Sequence, residues 1–388
     1  MLRVAVLGGG VAGCSIAFRL AQEGIRVSLL EKRPVLLAGS SRAAFGSLTP
    51  FSDPFFEGQA RDFASNSVDL YRNKWLKKVE AASGLSVCIG NKGLFDLLDT
   101  AAEIRNAERL CVDLTESGYP AHMMSRDEVL ELEPTLTGSY RAGLWLDEPW
   151  IDHEEYFEAL LRCLARMEEI TVQTSVIARS VTEHTNGVRV CLSDGQTISA
   201  DFAVICTGPT ADPVDGVDQP NLSWIRGDAL AVRTGNNRPI LERHVYKKDA
   251  FITPRGDGRM FLGASYADET EAASILERVN THRISAGAAL NLLRVNAELL
   301  PQLLQCDLVR SWRGWRVRAA SGFPVLGPTG DGRVIIATGF IGLGVTMAPA
   351  TAEAVLELVS LGDASLIPDD FKPTSHASFE EERNASGL

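Results

Sequence analysis

Six residues near the amino terminus, Gly8-Gly9-Gly10-Val11-Ala12-Gly13, constrain this chain more than any other stretch. They follow a β-branched and apolar run, Leu2 to Leu7, and precede a helical pattern that carries Ile16 and Leu20 up to Gly24. A second apolar run, Val27 to Leu30, ends on an acid, Glu31. Strand, glycine turn, helix and second strand in that order make a dinucleotide-binding opening. Gly8 permits the tight turn, Gly10 lets backbone N–H groups approach a pyrophosphate, and Gly13 lets helix and strand pack closely. Val11 and Ala12 lie in the same turn, at a helix N-terminus whose partial positive charge suits phosphate. Glu31 is placed to accept hydrogen bonds from ribose hydroxyls.

The 388 residues, 45% of them hydrophobic, suffice for two or three domains' worth of core. A net charge of −12 argues against a broad phosphate-binding surface, so a nucleic-acid partner is not expected. No apolar run reaches bilayer-crossing length, and the opening motif starts at Leu2, which leads to the expectation of a cytoplasmic protein. The seven cysteines are scattered without CxxC or histidine partners at metal spacing. Most lie in apolar runs and are expected to be buried free thiols, with no metal bound.

Beyond Glu31 and Lys32, the stretch Ala38 to Pro50 is rich in small residues and lacks an apolar stripe, which suggests a loop lining a flat ligand. Asp53 to Gly84 reads as one long helix, with Phe56, Phe63, Leu70, Tyr71 and Trp75 roughly on one face. Short strands are expected around Val87–Ile89 and Leu94–Leu97, then a helix from Ala101 to Ser117. Ser125 with Glu128 forms a capping box, Pro134 ends that short helix, and Asp152 with Glu155 repeats the device ahead of an amphipathic helix expected to pack on a sheet. From Ile170 strands dominate, with a hairpin at Asp194-Gly195. Phe202 to Gly208 reads as a parallel strand buried on both faces, its glycine turning beside the ligand. Further strands are expected at Ala229–Val232, Ala250–Pro254 and Met260–Gly263, with a helix from Ser285 to Leu300. Arg310 to Arg318 is the dense cationic and aromatic segment. Arg333 to Thr338 reads as a strand, Gly339 to Gly344 as a glycine turn, and Val345 to Leu358 as a helix, before a polar tail loosely held from Pro368. The dinucleotide domain is therefore discontinuous, completed by strands near 202–208 and 333–338.

The opening motif alone does not choose between FAD and NAD. The rest of the chain resembles the D-amino-acid oxidase superfamily of flavoenzymes, in its glycine oxidase and sarcosine oxidase branch. The most specific parts are Gly8 to Gly13 with Glu31; the loop Ser41 to Pro50; Trp315-Arg316 followed by Gly322 to Gly327; and Ala337-Thr338-Gly339 through Ala348 to Ala352. The resemblance implies an α/β fold: a Rossmann-like FAD-binding domain of the GR2 type, with an inserted substrate domain of antiparallel β-sheet plus helices. The corresponding boundaries are 1–84, 150–225 and 322–365 for the first, 85–149 and 226–321 for the second, and 366–388 for the tail. It also implies FAD as cofactor, held by the opening motif, Lys32, Ser41, Arg42, Ala43, Ala44, Gly46, Ser47, Leu48, Val176, Thr207 and Gly208. The isoalloxazine ring would meet the Ser41–Pro50 loop, and its pyrimidine end would meet Gly339, Phe340, Ile341, Gly342, Leu343, Gly344, Val345 and Thr346.

In amino-acid-oxidising relatives the arginine matching Arg316 binds the substrate carboxylate, which two parallel hydrogen bonds from a planar guanidinium explain. Arg318 shares its side of the strand. Where glycine oxidases carry a tyrosine, this chain has Phe251, and its closing turn is apolar, so a less polar pocket is expected, with Tyr246 or His244 as candidate polar replacements. Gly263 to Tyr266 is also similar to the oxidase domain of a bifunctional tRNA-modifying enzyme. The reaction implied is oxidation of the C–N bond of a small amine or amino acid, with hydride passing from the α-carbon to flavin N5, hydrolysis of the imine, and return of electrons to dioxygen, giving hydrogen peroxide, or to another acceptor. Rival readings are a tRNA carboxymethylaminomethyl-uridine oxidase, a dehydrogenase or tailoring enzyme on a larger amine, and a non-catalytic flavin-bound subunit. A homo-oligomer is compatible with the chain.

Overall fold

A computed structural model describes residues 1–52, 57–208, 213–263, 267–269 and 283–373. Its first sheet has six strands in the order Val325–Thr329, Val334–Thr338, Phe202–Ile205, Arg3–Leu7, Arg26–Glu31, Ile170–Thr174. All neighbours are parallel except the first two, which form an antiparallel hairpin. Strand order reverses at Arg3–Leu7, with Arg26–Glu31 on one side and Phe202–Ile205 on the other. The crevice outside the carboxyl ends of those strands is where α/β sheets bind ligands. The helices Val11–Gln22 and Ala348–Leu361 cover one face through an apolar core, and a three-stranded sheet, Ala178–His184 to Thr197–Ala200, covers the other.

The second sheet begins at Phe340–Ile341 and continues through Asp307–Ala319, Leu222–Arg233, Arg259–Gly263, Ala250–Pro254, His244–Lys247, Leu94–Leu98 and Ala142–Leu146 to Ala121–Ser125. Its pairs are antiparallel apart from His244–Lys247 with Leu94–Leu98. Those two strands come from different inserted segments, so no tight turn dictates their direction. The boundary expected between 225 and 226 falls inside Leu222–Arg233, so the chain has already joined this sheet at Leu222.

Other expectations need correction. The long helix starts at Gly58 and carries a π-helical turn, Tyr71–Trp75, before Leu76–Ser83. Asp53 and Phe56 lie outside the described residues, as do Ala264 to Tyr266 and the tail from 374 onward. The extra residue of the π turn leaves both Tyr71 and Trp75 buried, and Tyr71 donates to the Val345 carbonyl at 2.7 Å. Asp152 caps His153–Arg166, but Glu155 accepts from the Cys88 amide rather than closing a capping box. That helix packs chiefly on the helices Val11–Gln22 and Leu76–Ser83 rather than on a sheet. The last helix begins at Ala348, because Phe340 to Met347 is spent on a short strand and successive turns. Only Cys14, Cys163 and Cys206 are buried, and Cys88 is exposed; all seven are free thiols. The tail starts well anchored: Phe371 is fully buried, 5.5 Å from the Phe63 ring.

Candidate active site

The glycine turn is held by its neighbours. Gly8 has φ +114°, and a Cβ there would collide with the Cys206 carbonyl; a Cβ on Gly13 would collide with the Gly8 carbonyl. Gly10 differs, because a Cβ would touch only Ser41 Oγ, at 3.4 Å, and otherwise occupy the crevice. Glu31 receives the Gly9 amide on one oxygen at 2.7 Å and the Arg33 amide on the other at 2.8 Å. Each carboxylate oxygen keeps a second lone pair for a further donor. Ser41 Oγ accepts from the Val11 amide at 2.9 Å, so the small-residue loop is tied to the first turn of the helix.

That loop is bolted to the second sheet. Ser40 Oγ donates to the Trp315 carbonyl at 2.5 Å, Trp312 Nε1 donates to the Ala43 carbonyl at 3.2 Å, and the Arg255 guanidinium donates to the Phe45 carbonyl. Glycine makes the close approach possible: a Cβ on Gly314 would collide with Ala43, and one on Gly263 with the Phe45 ring. Phe45 fills a socket formed by Phe251, Phe261 and Trp312, with centroids 5.9, 6.0 and 5.9 Å away. Arg255 is fully buried, and desolvation lowers its pKa to about 10, which leaves it charged at neutral pH beside Asp152.

The opposite wall is the bend Gly339 to Thr346. Gly339 takes φ +74°, and Ile341 takes φ +52°, a conformation that strains a β-branched residue. Pairing of Ile341 with Val317, and of Phe340 with Arg318, holds that strain in place. Thr346 Oγ1 donates to the Ser47 carbonyl at 3.3 Å, joining bend to loop. One continuous cavity runs from Gly10, Val11, Ala12 and Glu31, past Ser41, Ala43, Ala44, Gly46 and Ser47, to Gly208 and the bend from Gly339 to Val345.

Arg316 lies on the wall of this cavity. Its guanidinium crosses the neighbouring strand at Gly227, where a Cβ would lie 2.6 Å from Nη1 and 2.9 Å from Nη2; Gly342 faces its Cδ and Nε. Phe251 lines the cavity as well. Tyr246 packs edge-on to Phe251 at 6.1 Å and is not among the lining residues, and His244 is buried behind the same ring. Gly8, Lys32 and Val176 border a smaller adjoining cavity, with Glu31 and Thr207 shared between the two. Gly13, Arg42, Leu48 and Thr346 border neither; Leu48 and Thr346 are fully buried.

Sequence reasoning missed Arg33, Gly227, Asp228, Trp312 and Thr338, all of which line the main cavity, as does Phe45 of the expected loop. Arg33 could have been found as the second of the two cations that follow the acid ending the second strand. Gly227 and Gly314 left a readable signal too, since isolated glycines within strands mark close approach of another segment. Asp228 is fixed by Arg313, with Nε and Nη2 at 2.7 and 3.1 Å.

A flat dinucleotide fits what these residues offer. The Gly10 side of the cradle is open where a side chain would fill it, and Thr338 Oγ1 is buried on the cavity wall with no hydrogen-bond partner among the described residues.

Comparison with known proteins agrees with this geometry. The family model described as DAO, FAD dependent oxidoreductase, matches residues 3–358. Glycine oxidase of Geobacillus kaustophilus is 27% identical over 379 residues, covering 96% of this chain and 97% of the relative. The crystal structure of glycine oxidase from Geobacillus kaustophilus superposes with a TM-score of 0.82 at 26% identity, over 92% of this chain and 95% of the other. L-α-glycerophosphate oxidase from Mycoplasma pneumoniae, solved with FAD bound, shares the fold at a TM-score of 0.77 and 20% identity, over 92% of this chain and 95% of that one.

Proposed function

Because the chain belongs to the DAO family of FAD dependent oxidoreductases, we propose that it oxidises the C–N bond of an amine or amino acid bearing a carboxylate, with Arg316 as the carboxylate clamp. The observation that carries this reading is the single cavity that joins the amino-terminal glycine cradle to the carboxyl-terminal bend and has Arg316 on its wall. Gly10, Val11 and Ala12 would hold the FAD pyrophosphate, Glu31 the ribose, and the Ser41–Ser47 loop with the Gly339–Val345 bend the flavin ring. FAD, when bound, supplies the two-electron acceptor for the hydride that leaves the substrate α-carbon.

The chain's own residues set the rest. Arg316 orients the carboxylate through paired, charge-assisted hydrogen bonds and so fixes the α-carbon. Phe45 and Phe251 give that part of the cavity an apolar wall that limits water. Two carboxylates are among the described lining residues, and both are engaged: Glu31 by the Gly9 and Arg33 amides, Asp228 by Arg313. No histidine is among the described lining residues. This lining suits an amine that binds unprotonated, whose oxidation needs no protein base. Loss of hydride and of the nitrogen proton gives an imine, which water converts to a carbonyl compound and a free amine or ammonia. Dioxygen takes up the two electrons and two protons as hydrogen peroxide.

Anaerobic mixing of the FAD-loaded enzyme with a panel of amines, followed by the loss of flavin absorbance, tests the reading. Bleaching by carboxylate-bearing amines is expected, and bleaching by none of them, with FAD bound, refutes it.

A further inference from the structure

Behind the wall of the cavity runs a chain of three polar side chains that neither the nucleotide cradle nor the carboxylate clamp uses. Ser47 Oγ is 3.3 Å from Thr253 Oγ1, which is 3.2 Å from His244 Nδ1. Thr253 and His244 are both 0% exposed, whereas Ser47 borders the cavity. Polar groups buried this deeply cost stability unless they are hydrogen-bonded, and apolar side chains would fill the space without that cost. Burial, reinforced by nearby Arg255, drives the imidazole pKa down to about 3, so the relay consists of neutral dipoles. The imidazole lies nearly parallel to the Phe251 ring, at 4° and 5.9 Å, which fixes its plane.

The backbone around Ser47 is equally fixed. Arg255 holds the Phe45 carbonyl, the Ile151 amide donates to the Gly46 carbonyl at 2.8 Å, and Thr346 holds the carbonyl of Ser47 itself. The remaining freedom of the hydroxyl is rotation about χ1, and the Thr253 contact selects among its rotamers. Ser47, its hydroxyl joined to Thr253, thereby stands at the wall of the slot between the 43–47 loop and the 339–345 bend. Much of that slot is glycine, alanine and backbone, a surface shaped for a flat ring.

We propose that Ser47 makes a hydrogen bond to the edge of the flavin ring, and that Thr253 and His244 are positioning residues that hold its hydroxyl in place. The proposal rests on FAD occupying the cavity between cradle and bend. It does not depend on which amine is oxidised, so its test needs no substrate. FAD affinity, the visible flavin spectrum and the midpoint potential are measured for Ser47→Ala, Thr253→Val, Thr253→Ser, His244→Phe and the Ser47→Ala/Thr253→Val and Ser47→Ala/His244→Phe double variants. Ser47→Ala and Thr253→Val are expected to shift the oxidised-to-reduced balance of bound FAD by a common factor of about three to ten. The first double variant should go no further than either single change, and Thr253→Ser should restore the parent values. His244→Phe should move the potential in the same direction, but not in a Ser47→Ala background. Wild-type affinity, spectrum and potential in Ser47→Ala overturn the proposal, as do additive effects of the Ser47 and Thr253 changes. Ser47 borders the cavity rather than the core, so its variant remains decisive if a buried substitution prevents folding.

Discussion

Gly227→Ala tests the carboxylate clamp without removing its charge. The added Cβ would lie 2.6 Å from Arg316 Nη1, 2.9 Å from Nη2 and 3.0 Å from Cζ. Ordinary contact begins near 3.4 Å, so the guanidinium must retreat by roughly 0.8 Å at its nearest nitrogen. The obstacle is the far end of a flexible side chain, and Gly227 does not have positive φ, so the strand tolerates alanine and the fold survives. Paired hydrogen bonds to a carboxylate do not tolerate such a shift: charge-assisted bonds contribute about 1.5–3 kcal/mol, and a misplacement of about 1 Å can cost around a hundredfold in rate. The expected result is a loss of about 10- to 100-fold in kcat/KM for a carboxylate-bearing amine, against less than about threefold for an amine that lacks one. Steady-state kinetics on a matched substrate pair, with flavin content and melting temperature as controls, provides the assay. Equal losses on both substrates, or no loss on either, would refute the placement of Arg316 at the substrate.

Two glycines of the cradle should fail in different ways. Gly10→Leu points into the crevice and should give folded protein that no longer binds FAD, whereas Gly13→Val collides with the Gly8 backbone and should lower the melting temperature itself; circular dichroism with flavin absorbance separates the two. Asp96 is half-buried, and desolvation, then Glu103, raise its carboxyl to about 7. Its folded pKa lies above the unfolded value of about 4, so the folded state favours the protonated form, and stability is lost as pH rises through about 7. Asp96→Asn is therefore expected to stabilise the protein at pH 8 by about 2 kcal/mol, after discounting for partial exposure, and to change little at pH 4. Denaturant midpoints at the two pH values check this, and an equal effect at both contradicts it. Arg255→Met removes the donor to the Phe45 carbonyl and should weaken FAD binding more than it lowers helix content.

How much of this was legible in the sequence depended on the range of the interactions involved. The first strand, glycine turn and helix are local, the run around 202–208 announced itself as a buried parallel strand because both faces are apolar, and the run at 333–338 read as a strand. The π turn at Tyr71–Trp75 left no trace in the helical period, since it serves a hydrogen bond to Val345 across the molecule. Glu155 matched the capping-box spacing, but a nearby amide, that of Cys88, captured its carboxylate. The candidate site was readable where chemistry is concentrated, as at Glu31 and Arg316. It was less readable where one segment makes room for another: isolated glycines at 227 and 314 signal a close approach, but which segment lies above them, Arg316 or Ala43, no local pattern encodes. Tyr246 was attractive for its hydroxyl, but its strand position sets it beside Phe251, one row away from the cavity lining.

The central claim is that the amino-terminal cradle and the carboxyl-terminal bend grip two ends of one FAD molecule. Hydrogen exchange of the flavin-free protein with and without ligand tests it most directly. ADP should slow exchange in residues 8–14 and leave 43–47 and 339–347 unchanged, whereas FAD should protect all three segments together. Protection by FAD confined to the amino-terminal segments would contradict the account.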